Sequence, residues 1–263
     1  MRISVITPTY NRRHTLDRLW HSLLAQKANE GFEWILVDDG SSDDTKAWFD
    51  DLQITRLFKC NYVYQPNQGK HVAINTGVSA ASGDWILILD SDDALTVDAI
   101  HTIEADLNLI SRQGDAVVGY GYRREYFAGG IIGRAVGTSF VKVMTPNEAG
   151  ALFKGDLAYL FKRECLVRHS FPVIANEKFV PELLIWNRIS DDGDIPYHSN
   201  KAIYLCEYLP DGYSANFKKM LEQNPEGFGI FYLDQMYRLR LGNCWFKAFV
   251  RFLQCQVLRW LKS

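Results

Sequence analysis

Over the first hundred positions the apolar residues fall into short blocks with two alternating spacings. Four blocks are nearly continuous, at residues 3–6, 34–37, 62–64 and 85–89. Each is too short for a helix and is bounded by turn residues, the pattern of strands covered on both faces in a parallel sheet. Between them the spacing is helical. Leu16, Leu19, Trp20, Leu23 and Leu24 form one stripe, and Trp48, Phe49 and Leu52 suggest a short second helix. Val72, Ala73 and Val78 belong to a third helix over residues 70–81. Val97, Ile100, Ile103, Leu107 and Ile110 belong to a fourth, running from near Thr96 towards Gly114. The alternation predicts an α/β fold with an open, doubly wound sheet and right-handed crossovers.

After Gly114 the pattern loosens. Residues 119–137 are rich in Gly and Tyr and carry Arg123, Arg124 and Arg134. They read either as a lid or binding loop or as an ordinary hairpin with its turn at Gly129 and Gly130. Residues 157–161 read as a strand, 182–189 as a helix opened by Glu182, 203–205 as a late strand and 207–212 as a turn. The tail from 231 to 262 is aromatic and basic, with Arg238, Arg240, Lys247, Arg251, Arg259 and Lys262 against Asp234 alone. Phe246, Phe249, Val250, Leu253, Val257, Trp260 and Leu261 fall at helical spacing. Such a helix either docks on its own domain or makes peripheral contact with an anionic membrane.

Composition narrows the classes. The 263 residues carry a formal net charge of −2, without the basic excess of a nucleic-acid binder. Cys60, Cys165, Cys206, Cys244 and Cys255 are odd in number and contain no Cys-x-x-Cys pair, which argues against a disulfide framework or a structural zinc site and for a reducing compartment. The apolar run at 3–6 is too short for a signal peptide, and no uncharged stretch is long enough to span a bilayer. The expected location is the cytoplasm, with the inner face of the membrane as the place to which the tail would bring it.

Two of the strands run straight into acid. Residues 34–37 are followed by Asp38 and Asp39, and residues 85–89 by Asp90, Ser91, Asp92 and Asp93. Ligands of parallel sheets sit at the carboxyl ends of the strands, where hard carboxylate oxygens can hold Mg²⁺ or Mn²⁺ against a phosphate. Aspartates in such turns also serve as plain caps. A calcium loop is disfavoured, because Leu95 and His101 stand where it needs Gly and Glu.

The segments Thr7-Pro8-Thr9-Tyr10-Asn11-Arg12, Val37-Asp38-Asp39-Gly40-Ser41-Ser42-Asp43-Asp44-Thr45, Asn67-Gln68-Gly69-Lys70-His71-Val72-Ala73-Ile74-Asn75 and Asp90-Ser91-Asp92-Asp93 together resemble the family 2 glycosyltransferases of GT-A fold. The resemblance implies a GT-A (Rossmann-like) doubly wound mixed sheet with an acceptor-side subdomain and a C-terminal helical tail. It divides the chain into a nucleotide-sugar-binding half at 1–112, an acceptor-binding half of the same domain at 113–225, and the tail at 226–263. It implies an inverting, metal-dependent transfer from a nucleoside-diphosphate sugar, most readily a UDP-sugar, to a hydroxyl of a saccharide or lipid-linked saccharide in polysaccharide or glycoconjugate synthesis.

By the same resemblance Tyr10 stacks on the base, with Thr7 and Pro8 shaping the backbone beside it, and Asp39 accepts the base imide N–H. Lys70 lies near the diphosphate. Asp90, Ser91 and Asp92 belong to the donor site, and Asp92 and Asp93 are the expected ligands of Mn²⁺ or Mg²⁺. The family's base is a carboxylate in a Glu-Asp pair followed by an aromatic residue and Arg. Here Glu182 takes the Glu position, Leu183 replaces the Asp, and Trp186 and Arg188 keep the spacing. Glu182 is therefore the expected base, with Glu177 and Asp156 behind it. A sugar nucleotidyltransferase and a non-catalytic nucleotide-sugar or glycan-binding module are the competing readings. The first normally opens with a Gly-rich loop, which residues 7–10 lack.

Overall fold

A computed structural model describes residues 2–27, 31–52, 58–110, 116–207 and 216–262. The four expected strands are β1 (Ile3–Thr9), β2 (Phe32–Asp38), β3 (Lys59–Tyr64) and β4 (Trp85–Ile88). They are followed by β5 (Ala94–Leu95), β6 (Gly119–Tyr126), β7 (Val141–Val143), β8 (Leu157–Lys162) and β9 (Pro196–Cys206). Among the described residues these make one nine-stranded sheet, ordered β3-β2-β1-β4-β8-β6-β9-β5, with β7 paired to β9. The strands β1 to β4 are mutually parallel, while β8 lies antiparallel to both β4 and β6. The doubly wound mixed sheet is therefore present, and α1 (Arg13–Leu24), α2 (Thr45–Asp51), α3 (Lys70–Ala80) and α4 (Ala99–Ile110) follow strands as the spacing predicts.

Strand alternation sorts the core onto two faces. Ile3, Val5, Trp34, Leu36, Trp85 and Leu87 point to one side and meet the stripe of α1 and the apolar face of α4. Ile6, Ile35, Val37, Ile86 and Ile88 point to the other and meet α3. Each such side chain contributes roughly 1.5–3 kcal/mol on burial, so the sheet order is held from both sides. The turn expected at 7–11 starts late, because β1 continues through Thr7 and Pro8 to Thr9 and pairs there with Asp38.

The lid expectation for 119–137 is overturned. Residues 119–126 are β6, an interior strand between β8 and β9. Its glycines serve packing: a Cβ at Gly119 would come 2.5 Å from the Phe161 ring, and one at Gly121 2.1 Å from the Tyr197 ring. The hairpin alternative holds at the tip, where the Tyr126 amide donates to the Gly130 carbonyl and Glu125 bridges antiparallel to Ile131. Arg123 is buried and donates to the carbonyls of Ser199, Ile132 and Arg134, with its guanidinium over Phe153. Those contacts hold the returning segment on the core.

The second half adds α5 (Pro146–Phe153), opened by a capping box between Thr145 and Glu148, then α6 (Arg163–Arg168) and α7 (Leu183–Ile189). The late strand is longer than the expected 203–205. The turn expected at 207–212 lies, past Glu207, outside the described residues, as does the approach of the fourth helix to Gly114. The tail forms α8 (Phe217–Gln223), α9 (Pro225–Arg238) and α10 (Asn243–Lys262). Helix α10 packs on this helical layer through Ala248 and Cys255, with Phe228 and Leu221 beside them. No helix among the described residues is long and apolar enough to cross a membrane. All five cysteines are free. Cys244, at the start of α10, is exposed, and the other four are buried or half-buried.

Candidate active site

The carboxyl ends of β1, β2 and β4 open into a cleft of about 1560 Å³, closed on the far side by α5, α7 and the helical tail. Small-ligand pockets usually measure ~300–1,000 Å³, so the cleft has room for two substrates. At one end the loops after β1 and β2 are tied together. Asn11, at φ 52°, donates its amide to Ser41 Oγ at 2.9 Å and accepts from the Ser42 amide at 2.8 Å, while the Arg13 amide donates to Asp43 at 3.0 Å. This knot presents Tyr10, 49% exposed, as a free ring face beside Pro8.

Asp39 also lines this end, but three protein donors already hold it. Gln65 Nε2 at 2.7 Å and the Gln68 amide at 2.8 Å share Oδ1, and the Gly69 amide donates to Oδ2 at 2.7 Å. Only Oδ2 has a lone pair left for a ligand. Asp38 turns away and organises the loop by accepting from the Ser41 amide and the Tyr62 hydroxyl. Thr7 is not at the cleft. It shares the face of Ile3 and Val5, is fully buried, and accepts from Trp34 Nε1 at 3.1 Å.

In the centre, Lys70 Nζ bridges Asp90 Oδ1 at 2.6 Å and Glu182 Oε1 at 2.7 Å. Gly69 makes this possible. At φ +98° it turns the chain into α3, and a Cβ there would lie 2.0 Å from the Lys178 carbonyl oxygen. Arg124, delivered by β6, sits 3.1 Å from Asp93 Oδ2 and 3.7 Å from Asp90 Oδ2. Burial alone would raise the Asp90 pKa, but Lys70 and Arg124 reverse that and hold its carboxyl below the usual range. Burial and the neighbouring Asp90 charge raise Asp92. Asp93 is pushed up to about 8 by burial and by Asp90, against the pull of Arg124.

Asp92 is half-buried and forms no ion pair among the described residues, while its backbone carbonyl accepts from Arg18. Ser91 is buried at the cleft wall, and its carbonyl accepts from Thr15 Oγ1. No group of three or more acids, histidines or cysteines among the described residues is placed to ligate a metal by itself. The hard oxygens of Asp92 and Asp93 are of the type Mg²⁺ and Mn²⁺ prefer, and Asp93 would hold such an ion alongside its pairing to Arg124.

Glu182 stands just before α7, at the cleft wall with Leu183 and Trp186. Asp156 lines the cleft as well. Glu177 does not; its two oxygens accept from the Glu226 and Gly227 amides at 2.7 and 2.8 Å, which caps the start of α9. The sequence reading missed Arg124 as a site residue, along with Arg12, Asn67, Asn147, Lys178 and Lys262, all of which line the cleft. For Arg124 the signal was the Gly-Tyr alternation that marks β6 as a strand. Arg12 and Asn67 stood inside the quoted motifs without a role assigned to them, and for Asn147, Lys178 and Lys262 no local signal existed, since they arrive from separate elements.

The profile of the family described as glycosyl transferase family 2 matches residues 4–147, more than half of the chain. The chain belongs to that family. A Campylobacter jejuni relative, GalNAc(5)-diNAcBac-PP-undecaprenol beta-1,3-glucosyltransferase, is 28% identical over 219 residues, covering 77% of this chain and 64% of its own. A glycosyltransferase of Nostoc is 40% identical over 93 residues, 35% of this chain and 29% of that one. The match thus spans less than two thirds of either relative. Among solved structures, S. aureus TarS 1-349 superposes with a TM-score of 0.69 at 19% identity, covering 97% of this chain and 71% of TarS. The mannosyltransferase PcManGT of Pyrobaculum calidifontis, in complex with GDP-Man and Mn²⁺, gives 0.61 at 19%, covering 97% and 68%. These likenesses establish the GT-A fold of this family 2 member.

Proposed function

We propose that this family 2 member is an inverting, metal-dependent glycosyltransferase that moves a sugar from a nucleoside-diphosphate donor, a UDP-sugar above others, to a hydroxyl of a saccharide or lipid-linked saccharide. One observation carries the reading: Asp90, just after β4, and Glu182, just before α7, meet across one cleft at the same ammonium group, Lys70 Nζ. Residues 1–112 would hold the donor and residues 113–225 most of the acceptor. The relatives support the substrate classes, since TarS is described in complex with UDP and with UDP-GlcNAc, and the C. jejuni relative by its name acts on an undecaprenol-linked saccharide.

The base would stack on Tyr10 and give its N–H to the remaining lone pair of Asp39. Asp92 and Asp93 would hold Mn²⁺ or Mg²⁺, which neutralises the leaving diphosphate. Lys70 changes partners when the donor arrives, because the diphosphate competes with Glu182 for the same ammonium. Glu182 then takes the proton of the acceptor hydroxyl as that oxygen attacks the anomeric carbon from the face opposite the phosphate. The glycosidic C–O bond breaks, and the nucleoside diphosphate leaves with the electron pair.

A thermal-shift screen of nucleoside diphosphates with and without Mn²⁺ tests the donor half, since a ligand of the native state raises its stability. UDP with Mn²⁺ is expected to raise the melting temperature; no response to any nucleoside diphosphate overturns the reading. Glu182→Gln is expected to keep that shift and to lose about 10²–10⁴ in the rate of UDP release. Full turnover in this variant removes Glu182 from the chemistry.

A further inference from the structure

The side of α10 opposite its packed face is apolar and open. Phe246, Val250, Leu253, Val257, Trp260 and Leu261 recur at i, i+4, i+7, i+11, i+14 and i+15, an arc roughly 100° wide and about 22 Å long. Each is between 46% and 76% exposed. The charge on the helix is one-sided. From 239 to 262 the chain has no Asp or Glu but carries Arg240, Lys247, Arg251, Arg259 and Lys262. Lys247 flanks the arc next to Val250 and Leu261, whereas Arg251 turns towards the tail, with its guanidinium over the Phe217 ring and Nη1 donating to Gln254. At the far end Arg259 pairs with Glu226 at 3.3 Å and Lys262 Nζ donates to the Gln223 carbonyl at 2.9 Å, fixing the helix to the tail. Lys262, on the packed side of the last turn, also lines the cleft.

We propose that this face of α10 lies on an anionic lipid bilayer, with the apolar arc in the headgroup–acyl boundary and the flanking cations on lipid phosphates. The helix is not apolar enough to span. A second copy seated stripe to stripe would bring two basic helices together without a carboxylate on either α10 to offset them. A bilayer needs no matching shape for a row of Phe, Val, Leu and Trp, and its phosphates answer the charge. Docking of this kind is independent of what the cleft transfers. Where the acceptor is lipid-linked, it lets that acceptor enter from the plane of the membrane.

Cosedimentation with phosphatidylcholine vesicles, with and without phosphatidylglycerol, tests the proposal. The intact protein is expected to pellet with the anionic vesicles and to be released by high salt. Val257→Asp combined with Trp260→Asp is expected to lower the partition about tenfold or more, with the circular dichroism and melting temperature of the parent protein. Arg240→Glu with Lys247→Glu alters exposed side chains that make no ion pair among the described residues, and carries the test if the first variant does not fold; it is expected to lower binding to anionic vesicles. A protein that stays in the supernatant with every vesicle, variants that bind unchanged, or a solution dimer split by Val257→Asp and Trp260→Asp would each overturn it.

Discussion

Glu177 and Glu182 stand close in sequence and are employed differently. Both are glutamates at the edge of the acceptor half, yet one caps α9 and the other faces the cleft beside Lys70. Glu177→Gln is therefore expected to cost about 1–2 kcal/mol in urea unfolding, from weakened charge-assisted bonds to two amides, and to leave turnover unchanged. A fall in turnover comparable to that of Glu182→Gln would reverse the assignment. His71 makes a pH prediction. Burial pushes it down to about 4, with Asp39 pulling the other way. A folded value below the unfolded one, near 6.5, means the unfolded chain binds the proton first. Stability is then complete above about pH 6.5 and falls as pH drops towards 4, by on the order of 2 kcal/mol. In His71→Leu this part of the slope should vanish from urea melts at a series of pH values. At this scale the sequence showed which residue types could bind a donor but not their direction. Thr7 belonged to the quoted motif, and only strand alternation sends it to Trp34 instead of the cleft.

Among the elements, those with one clear period were readable and those with a mixed role were not. The stripes of α1 and α4 and the four parallel strands needed only local spacing. The strand β6 was misread because its glycines look like looseness, whereas Gly119 and Gly121 are places where the Phe161 and Tyr197 rings lie against bare backbone. Gly121→Val is expected to destabilise by about 2–4 kcal/mol through overpacking in an interior strand, seen as a lower urea midpoint; a lid would tolerate the same change. Gly69→Ala should act on both stability and the site. Its φ is unfavourable for alanine and its Cβ has no space against Lys178, so α3 must shift and take Lys70 with it. Weaker UDP binding and a stability loss of at least ~1 kcal/mol are expected.

For the whole molecule, the parallel pairing of β1 to β4 was legible in the strand–helix alternation, because a helix between two strands of one sheet lets them run the same way; their order was not. The joining of the two halves did not follow. The antiparallel strand β8 enters between β4 and β6, and a pairing between distant segments leaves no local trace. That insertion is what carries Arg124 to the aspartates that end β4. The tail was legible as a basic, apolar helix, but which arc of it is packed is decided by Ala248 and Cys255, two small residues without a periodic signature.

The distribution of thiols gives the protein a built-in attachment point. Burial lifts Cys60 and Cys206 to about 12 and Cys165 and Cys255 to about 11, which keeps them protonated and inert at neutral pH. Cys244 is open to solvent at the start of α10. A maleimide dye should therefore add once per native chain and to all five cysteines in urea, as counted by intact mass. Carried at that single place, the dye's colour and brightness would report when the helix leaves water, without engineering any other residue.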